Sequence, residues 1–261
     1  MLKISHLAVA YGRREVIADL SVQGLLPGTV TALLGPNGSG KSTLLKALAG
    51  MVRTPRGSVS LDGEELVRAS LEQRARRLVY LPQSLPAAVH LRVFESVLVA
   101  GNAGAPGATH SRPDVAQVYA LLQRLGIAHL AMRFLDELSG GQKQLVGLAQ
   151  ALIRKPRLLL LDEPLSALDL NYQFHVMDLL RQETAQHGLV TVIVLHDVNI
   201  ALRHADHALL IRDGRLRADG APEQVITPAT LAAIYGVRGR IEVCSQGIPQ
   251  VIIDGLCEAV D

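Results

Sequence analysis

The sequence predicts an α/β fold with a parallel-sheet core, an N-terminal antiparallel β portion and an inserted α-helical subdomain. Three observations predict it. Leu158-Leu159-Leu160-Leu161 is a continuous apolar run ending in Asp162-Glu163-Pro164, and such a run reads as a strand buried on both faces of a parallel sheet. Val30-Thr31-Ala32-Leu33-Leu34 is a second β-branched and apolar run, joined by a glycine-rich stretch to Ser42–Ala49, whose apolar residues recur at helical spacing. From Ser84 to Leu135 the pattern changes to helical periodicity, which places a helical insert within the α/β core.

Taken in order, Leu2–Tyr11 alternates loosely and reads as a strand, Gly12-Arg13-Arg14 as a turn, and Val16–Leu26 as a second strand closed by Pro27-Gly28. The strand Val30–Leu34 and its glycine-rich loop follow, then the helix from Ser42, stopped at Gly50. Arg56–Gly63 reads as a strand ending in an Asp-Gly turn. Ser70–Arg77 reads as a helix whose arginines, Arg74, Arg76 and Arg77, form a solvated face. Leu78–Leu81 is a strand broken by Pro82, which leaves Gln83 at its tip. Val93–Ala100 and Asp114–Leu125 carry helical periodicity, separated by a loop from Gly101 to Gly107. Ser139 caps a helix read over Lys143–Ile153, and Gly188–Leu195 is a Val/Ile-rich strand that delivers His196. No internal repeat is visible.

Composition excludes several classes. With 26 basic and 24 acidic residues the net charge is +2, so no polyanion-binding surface is implied. Aromatics make up only 3%, which leaves few stacking platforms for single-stranded nucleic acid. Cys244 and Cys257 fit no metal spacing and are expected as reduced thiols. Polar residues interrupt the N-terminus before a signal-peptide core can form. The longest uncharged stretch, Leu20–Gly40, is broken by Pro27 and Pro36, so no membrane helix is expected and a cytosolic chain is.

The chemistry centres on Gly35-Pro36-Asn37-Gly38-Ser39-Gly40-Lys41-Ser42-Thr43, which fits Gly-x-x-x-x-Gly-Lys-[Ser/Thr] between a strand and a helix. Glycines let the backbone approach an anion, and loop amides and the helix dipole favour negative charge. The pattern predicts a bound nucleoside triphosphate, with Lys41 on the β- and γ-phosphates and Ser42 on Mg²⁺. Asp162 and Glu163 reach the carboxyl edge of the sheet, where ligands of such folds bind. Asp162 is expected to hold Mg²⁺ through water, and Glu163 to orient or deprotonate the attacking water. His196 arrives at the same edge and is expected near the γ-phosphate. Ser139-Gly140-Gly141-Gln142, opening a helix, makes a second anion site. Tyr11 either stacks on a purine or is a strand-end tyrosine at the surface.

These segments together resemble the ATP-binding subunits of ABC transporters. In that family's terms, Gly35–Thr43 is Walker A, Gln83 the Q-loop, Leu138–Gln142 the signature, Leu158–Glu163 Walker B, Ser166-Ala167-Leu168-Asp169 the D-loop and His196 the H-loop. The match runs from about Leu2 to Asp219. The resemblance implies a P-loop NTPase core at 1–83 and 155–237, a helical subdomain at 84–154 and a C-terminal hairpin at 238–261. It also implies a head-to-tail homodimer that sandwiches two ATPs, each between one copy's Gly35–Thr43 and the other's Ser139–Gln142. Tyr11 would then stack on adenine, Gln83 would contact Mg²⁺ and water while sensing a membrane permease, and Asp169 would communicate across the dimer.

The run Arg74–Gln83, Leu168–Gln173 and Ile234-Tyr235-Gly236-Val237 are similar to ATPases of iron-complex importers, which take up ferric siderophores, haem or cobalamin through a permease and a periplasmic or lipid-anchored substrate-binding protein. Arg240–Ile253 resembles that group's terminal hairpin. Leu145 and Gln150 depart from arginines common in relatives. His204-Ala205-Asp206-His207 is not needed as an iron site, since transported iron need not touch the ATPase. The alternative is a soluble ABC ATPase of iron–sulfur cluster assembly. A DNA-repair relative is disfavoured because the 55 residues between Gln83 and Ser139 leave no room for a long coiled coil. The apolar, uncharged segment Ser84–Leu91 is expected to receive a permease helix, at the cytoplasmic face of a membrane.

Overall fold

The structure, a computed structural model, describes residues 1–84, 89–103 and 113–257. It opens with an antiparallel pair, β1 (Leu2–Tyr11) and β2 (Arg14–Leu25). Several register shifts interrupt this ladder, the physical reason that the sequence alternates only loosely. β3 (Thr29–Leu34) runs into the phosphate loop and α1 (Lys41–Leu48). β4 (Arg56–Leu61) and β5 (Glu64–Glu65) flank the Asp62-Gly63 turn. α2 (Leu71–Ala75), capped by Ser70, precedes β6 (Leu78–Leu81).

Among the described residues of the insert, three α-helices follow: α3 (Val93–Asn102), α4 (Val115–Arg124) and α5 (Gly140–Leu152). α5 begins at Gly140, three residues ahead of the start expected from sequence. Two glycines argue against a helix by propensity, but the box between Ser139 and Gln142 satisfies the first-turn donors. After β7 (Leu158–Leu161) come α6 (Leu170–His187), β8 (Val190–Val194), α7 (Val198–His204), β9 (His207–Arg212) and β10 (Arg215–Gly220). β8 starts later than the run suggested because Gly188 still belongs to the end of α6 as its C-cap. α8 (Pro222–Val225) and α9 (Pro228–Tyr235) each begin with proline at the first turn, and β11 (Val237–Val243) and β12 (Pro249–Leu256) form a terminal hairpin.

The six-stranded sheet has the order β10-β9-β3-β8-β7-β6. All its neighbour pairs are parallel except β9–β10. A separate antiparallel sheet has the order β2-β1-β4-β5. The period of two along β7 divides the core. Leu158 and Leu160 join α1 and the antiparallel sheet in one cluster, whereas Leu159 and Leu161 join the helices of the insert and α6 in the other. All four leucines are 0% exposed, and truncating any one to alanine costs about 2–5 kcal/mol. Because β3, β6, β7 and β8 run the same way, the segments after them converge at one edge. Those segments carry the loop 35–43, Gln83, Asp162-Glu163 and His196.

Candidate functional site

The phosphate loop is shaped by close backbone approach. Gly35 has φ 148°, and a Cβ there would run into the Ile211 carbonyl, so only glycine lets β3 pass this close to β9. α1 has no side-chain cap, which leaves its first-turn amides for an anion. Lys41 is 5% exposed; its Nζ donates to the Gly35 carbonyl at 2.7 Å and the Pro36 carbonyl at 3.0 Å. Burial lowers its pKa, while the charges of Glu163 and Asp162 pull it back up. The loop thus holds the lysine on its own carbonyls. The Ser39 hydroxyl is buried and has no hydrogen-bond partner among the described residues.

A cavity of about 410 Å³ opens above the loop, walled by Gly38, Gly40, Lys41, Ser42, Gln83, Glu163 and His196. The two acids behave differently within it. Asp162 is buried, and each of its oxygens accepts one hydroxyl: Ser42 donates to Oδ1 at 2.9 Å and Tyr80 to Oδ2 at 3.0 Å. Burial and the Asp162 charge push the Tyr80 phenol well above its usual pKa, so it stays a donor. Glu163 has φ 52°, a left-handed conformation that costs a non-glycine residue about 1–3 kcal/mol and persists only where its surroundings fix it. They do. Its carboxylate accepts from Gln83 Nε2 at 2.6 Å and pairs with His196 Nε2 at 2.7 Å. Its carbonyl accepts from Gln144 Nε2 at 3.0 Å, and Gln144 Oε1 accepts from the Ala167 amide at 3.1 Å.

Gln83, Asp162, Glu163 and His196 therefore gather around the Gly35–Thr43 loop. Two expected participants lie elsewhere. Tyr11 ends β1, 50% exposed, and does not line the cavity. Ser139–Gln142 also lies outside it. Ser139 caps α5 by accepting from the Gln142 amide at 3.3 Å, and Gly140 is exposed. Gly141 packs so closely on the turn at 166–169 that a Cβ would come within 2.7 Å of the Ala167 carbonyl oxygen. Asp169 caps α6 by accepting from the Tyr172 amide. Of the expected permease segment, residues 85–88 fall outside the described residues, and Val89 is exposed. His204 is buried beside Asp178, and His207 pairs with Asp219.

Sequence reasoning passed over three contributors. Tyr80 is one; Gln144 is another. The third is Tyr235 on α9, whose hydroxyl is buried behind the loop. Burial pushes that phenol up to about 12, and the nearby Gly35 amide offsets part of the rise. For Tyr80 a signal existed: a polar hydroxyl in an otherwise aliphatic strand, three residues before Gln83.

The family model described as ABC transporter matches residues 19–166. The hemin import ATP-binding protein HmuV of Gloeobacter violaceus is 40% identical over 245 residues, covering 91% of this chain and 88% of that protein. The ferric enterobactin transport ATP-binding protein FepC of Escherichia coli is 36% identical over 241 residues, covering 92% and 89%. A solved metal-chelate type ABC transporter in an inward-facing conformation matches with a TM-score of 0.79 at 26% identity, over 97% of this chain and 96% of that one. The family model spans more than half of the sequence, and it covers the loop, Gln83 and both acids. This chain belongs to the ABC transporter family, as an ATP-binding subunit that hydrolyses ATP.

Proposed function

We propose that this chain is the motor of a membrane importer for iron complexes, ferric siderophore or haem, or for cobalamin. The observation that carries the motor reading is Glu163, held at 2.6 Å by Gln83 and 2.7 Å by His196 beside the phosphate loop. The amides of Gly38–Thr43 and Lys41 bind the triphosphate. The nucleotide's γ-phosphate draws Lys41 from the loop carbonyls, and His196 contacts the same group. Ser42 and Asp162 suit Mg²⁺: both offer hard oxygens, and Ser42 spends its proton on Asp162, leaving its own lone pairs free. When bound, the cation neutralises charge on the β- and γ-phosphates. Glu163 takes a proton from the attacking water, and Gln83 and His196 fix the direction of its carboxylate.

The second half of the proposal is a head-to-tail homodimer. Ser139–Gln142 lies outside the cavity, yet it presents an exposed helix start, which supports its use on the partner's nucleotide. Tyr11, exposed at the end of β1, is assigned to the adenine. Names of the relatives, hemin import and ferric enterobactin transport, support an iron chelate as cargo and speak for import over iron–sulfur cluster assembly. Among the described residues no helix is long and apolar enough to cross a membrane, and the importer reading assigns cargo passage to permease subunits. The chain docks on them peripherally, at the cytoplasmic face and next to Val89, and a substrate-binding protein delivers cargo from the other side.

The test is reconstitution of the chain with its permease in liposomes. ATP-dependent uptake of haem, a ferric siderophore or cobalamin is expected, and Glu163→Gln should stop it. A chain that binds no membrane subunit and drives no uptake would overturn the importer reading.

A further inference from the structure

Strand β6 gives one side chain to each of the two acids. Gln83, just past its end, donates to Glu163, and Tyr80, within it, donates to Asp162 Oδ2. The strand holds that tyrosine firmly. β6 and β7 are parallel neighbours in register Tyr80↔Leu160 and Leu81↔Leu161, and the Asp162 amide donates to the Leu81 carbonyl at 2.9 Å. Tyr80 packs at the edge of the cluster that also holds α1. That cluster is aliphatic and β6 is otherwise Leu-Val-Leu, so packing alone could be met without a hydroxyl. What the hydroxyl adds is a donor to a carboxylate that is 3% exposed.

A carboxylate has two oxygens and about four lone-pair sites. Here Oδ1 takes the Ser42 hydroxyl at 2.9 Å and Oδ2 the Tyr80 hydroxyl at 3.0 Å, so each oxygen has its own donor. Rotating the group breaks one of the two bonds. With Tyr80 absent, only Ser42 would restrain it, and Ser42 is itself a proposed cation ligand. We propose that Tyr80 is a positioning residue of the cation site: it fixes the rotation of Asp162, and it ties that rotation to the strand ending in Gln83. This rests on the reading of Ser42 and Asp162 as the groups that hold Mg²⁺. It adds that the metal site and the Q-loop share one mechanical support, so a shift at the tip of β6 loosens both acids together.

Tyr80→Phe keeps the ring and removes the hydroxyl. ATP binding to the full chain is measured by equilibrium dialysis, once in EDTA and once across a Mg²⁺ titration. Mn²⁺ binding in the presence of ATP is followed by electron paramagnetic resonance. The metal concentration at half-saturation should rise about three- to tenfold, the scale of one ordinary hydrogen bond, since Tyr80 restrains a ligand without touching the metal. Affinity for ATP in EDTA should stay within about twofold of wild type, which separates a metal-site defect from one in the nucleotide pocket. An unchanged half-saturation for both metals overturns the proposal. So does an equal loss of ATP affinity in EDTA, because the defect then lies in the nucleotide pocket or the fold. Wild-type protein whose ATP binding ignores divalent metal fails at an earlier step: it overturns the Mg²⁺ reading of Ser42 and Asp162, and this proposal with it.

Discussion

At the phosphate loop, the first turn of α1 opens into a cavity walled by Gln83, Glu163 and His196; at the start of α5, the same kind of glycine-bearing helix end lies exposed and outside that cavity. Sequence logic treats the two alike, since both offer bare amides at a helix N-terminus. Their surroundings separate them. Small ligands are held in concave sites that bury most of their surface, and only the first region supplies walls. The second caps itself through Ser139 and Gln142. A helix end of that kind becomes a nucleotide site when another surface closes over it, which is what the proposed head-to-tail partner would provide.

That contrast can be broken by experiment. The largest effect is expected at Glu163→Gln, which keeps the shape and removes the proposed base. Turnover should fall about 10²- to 10⁴-fold while ATP binding persists, and an ATP-dependent dimer should appear in size exclusion. Normal hydrolysis by this variant would reject Glu163 as the base. Next is Lys41→Ala, which removes a charge-assisted contact and should weaken ATP binding about ten- to a hundredfold by calorimetry. The same variant has a pH signature. Burial lowers the Lys41 pKa in the folded chain, so the unfolded chain holds more protons between that depressed pKa and the ordinary one. Stability from this group therefore rises with pH across that window, and the variant should lose the rise.

The smallest effect on isolated chains sharpens the comparison most. Ser139→Arg should change ATP affinity of the monomer by less than about twofold, with about 1 kcal/mol of stability lost through the cap. In mixed dimers with wild type, it should abolish hydrolysis in trans. Loss of ATP binding by the mutant monomer would show that the two regions are not independent halves.

What was legible in the sequence depended on how far apart the interacting residues lie along the chain. The strand, loop and helix around Lys41 are contiguous, and the acids follow directly on β7, so short-range pattern was enough. Tyr80 and Asp162 are 82 residues apart, and Gln144 meets Ala167 across 23. Such pairs exist only once strand order and register are known. α6 carries no strong helical period of its own and takes its place by packing, whereas the apolar run of β9 and the alternation of β10 were present in the sequence and passed over. The start of α5 was missed for a different reason: a reciprocal cap outweighed the poor helix propensity of two glycines.

The backbone of Glu163 has a consequence for how this enzyme can change. At φ 52° the fold asks for glycine or asparagine, whereas the proposed chemistry asks for a carboxylate. Replacement by either would relieve strain and remove the proposed base at once. Selection for thermal endurance and selection for turnover thus pull this one position in opposite directions. Libraries screened only for heat resistance should keep enriching inactive proteins altered there.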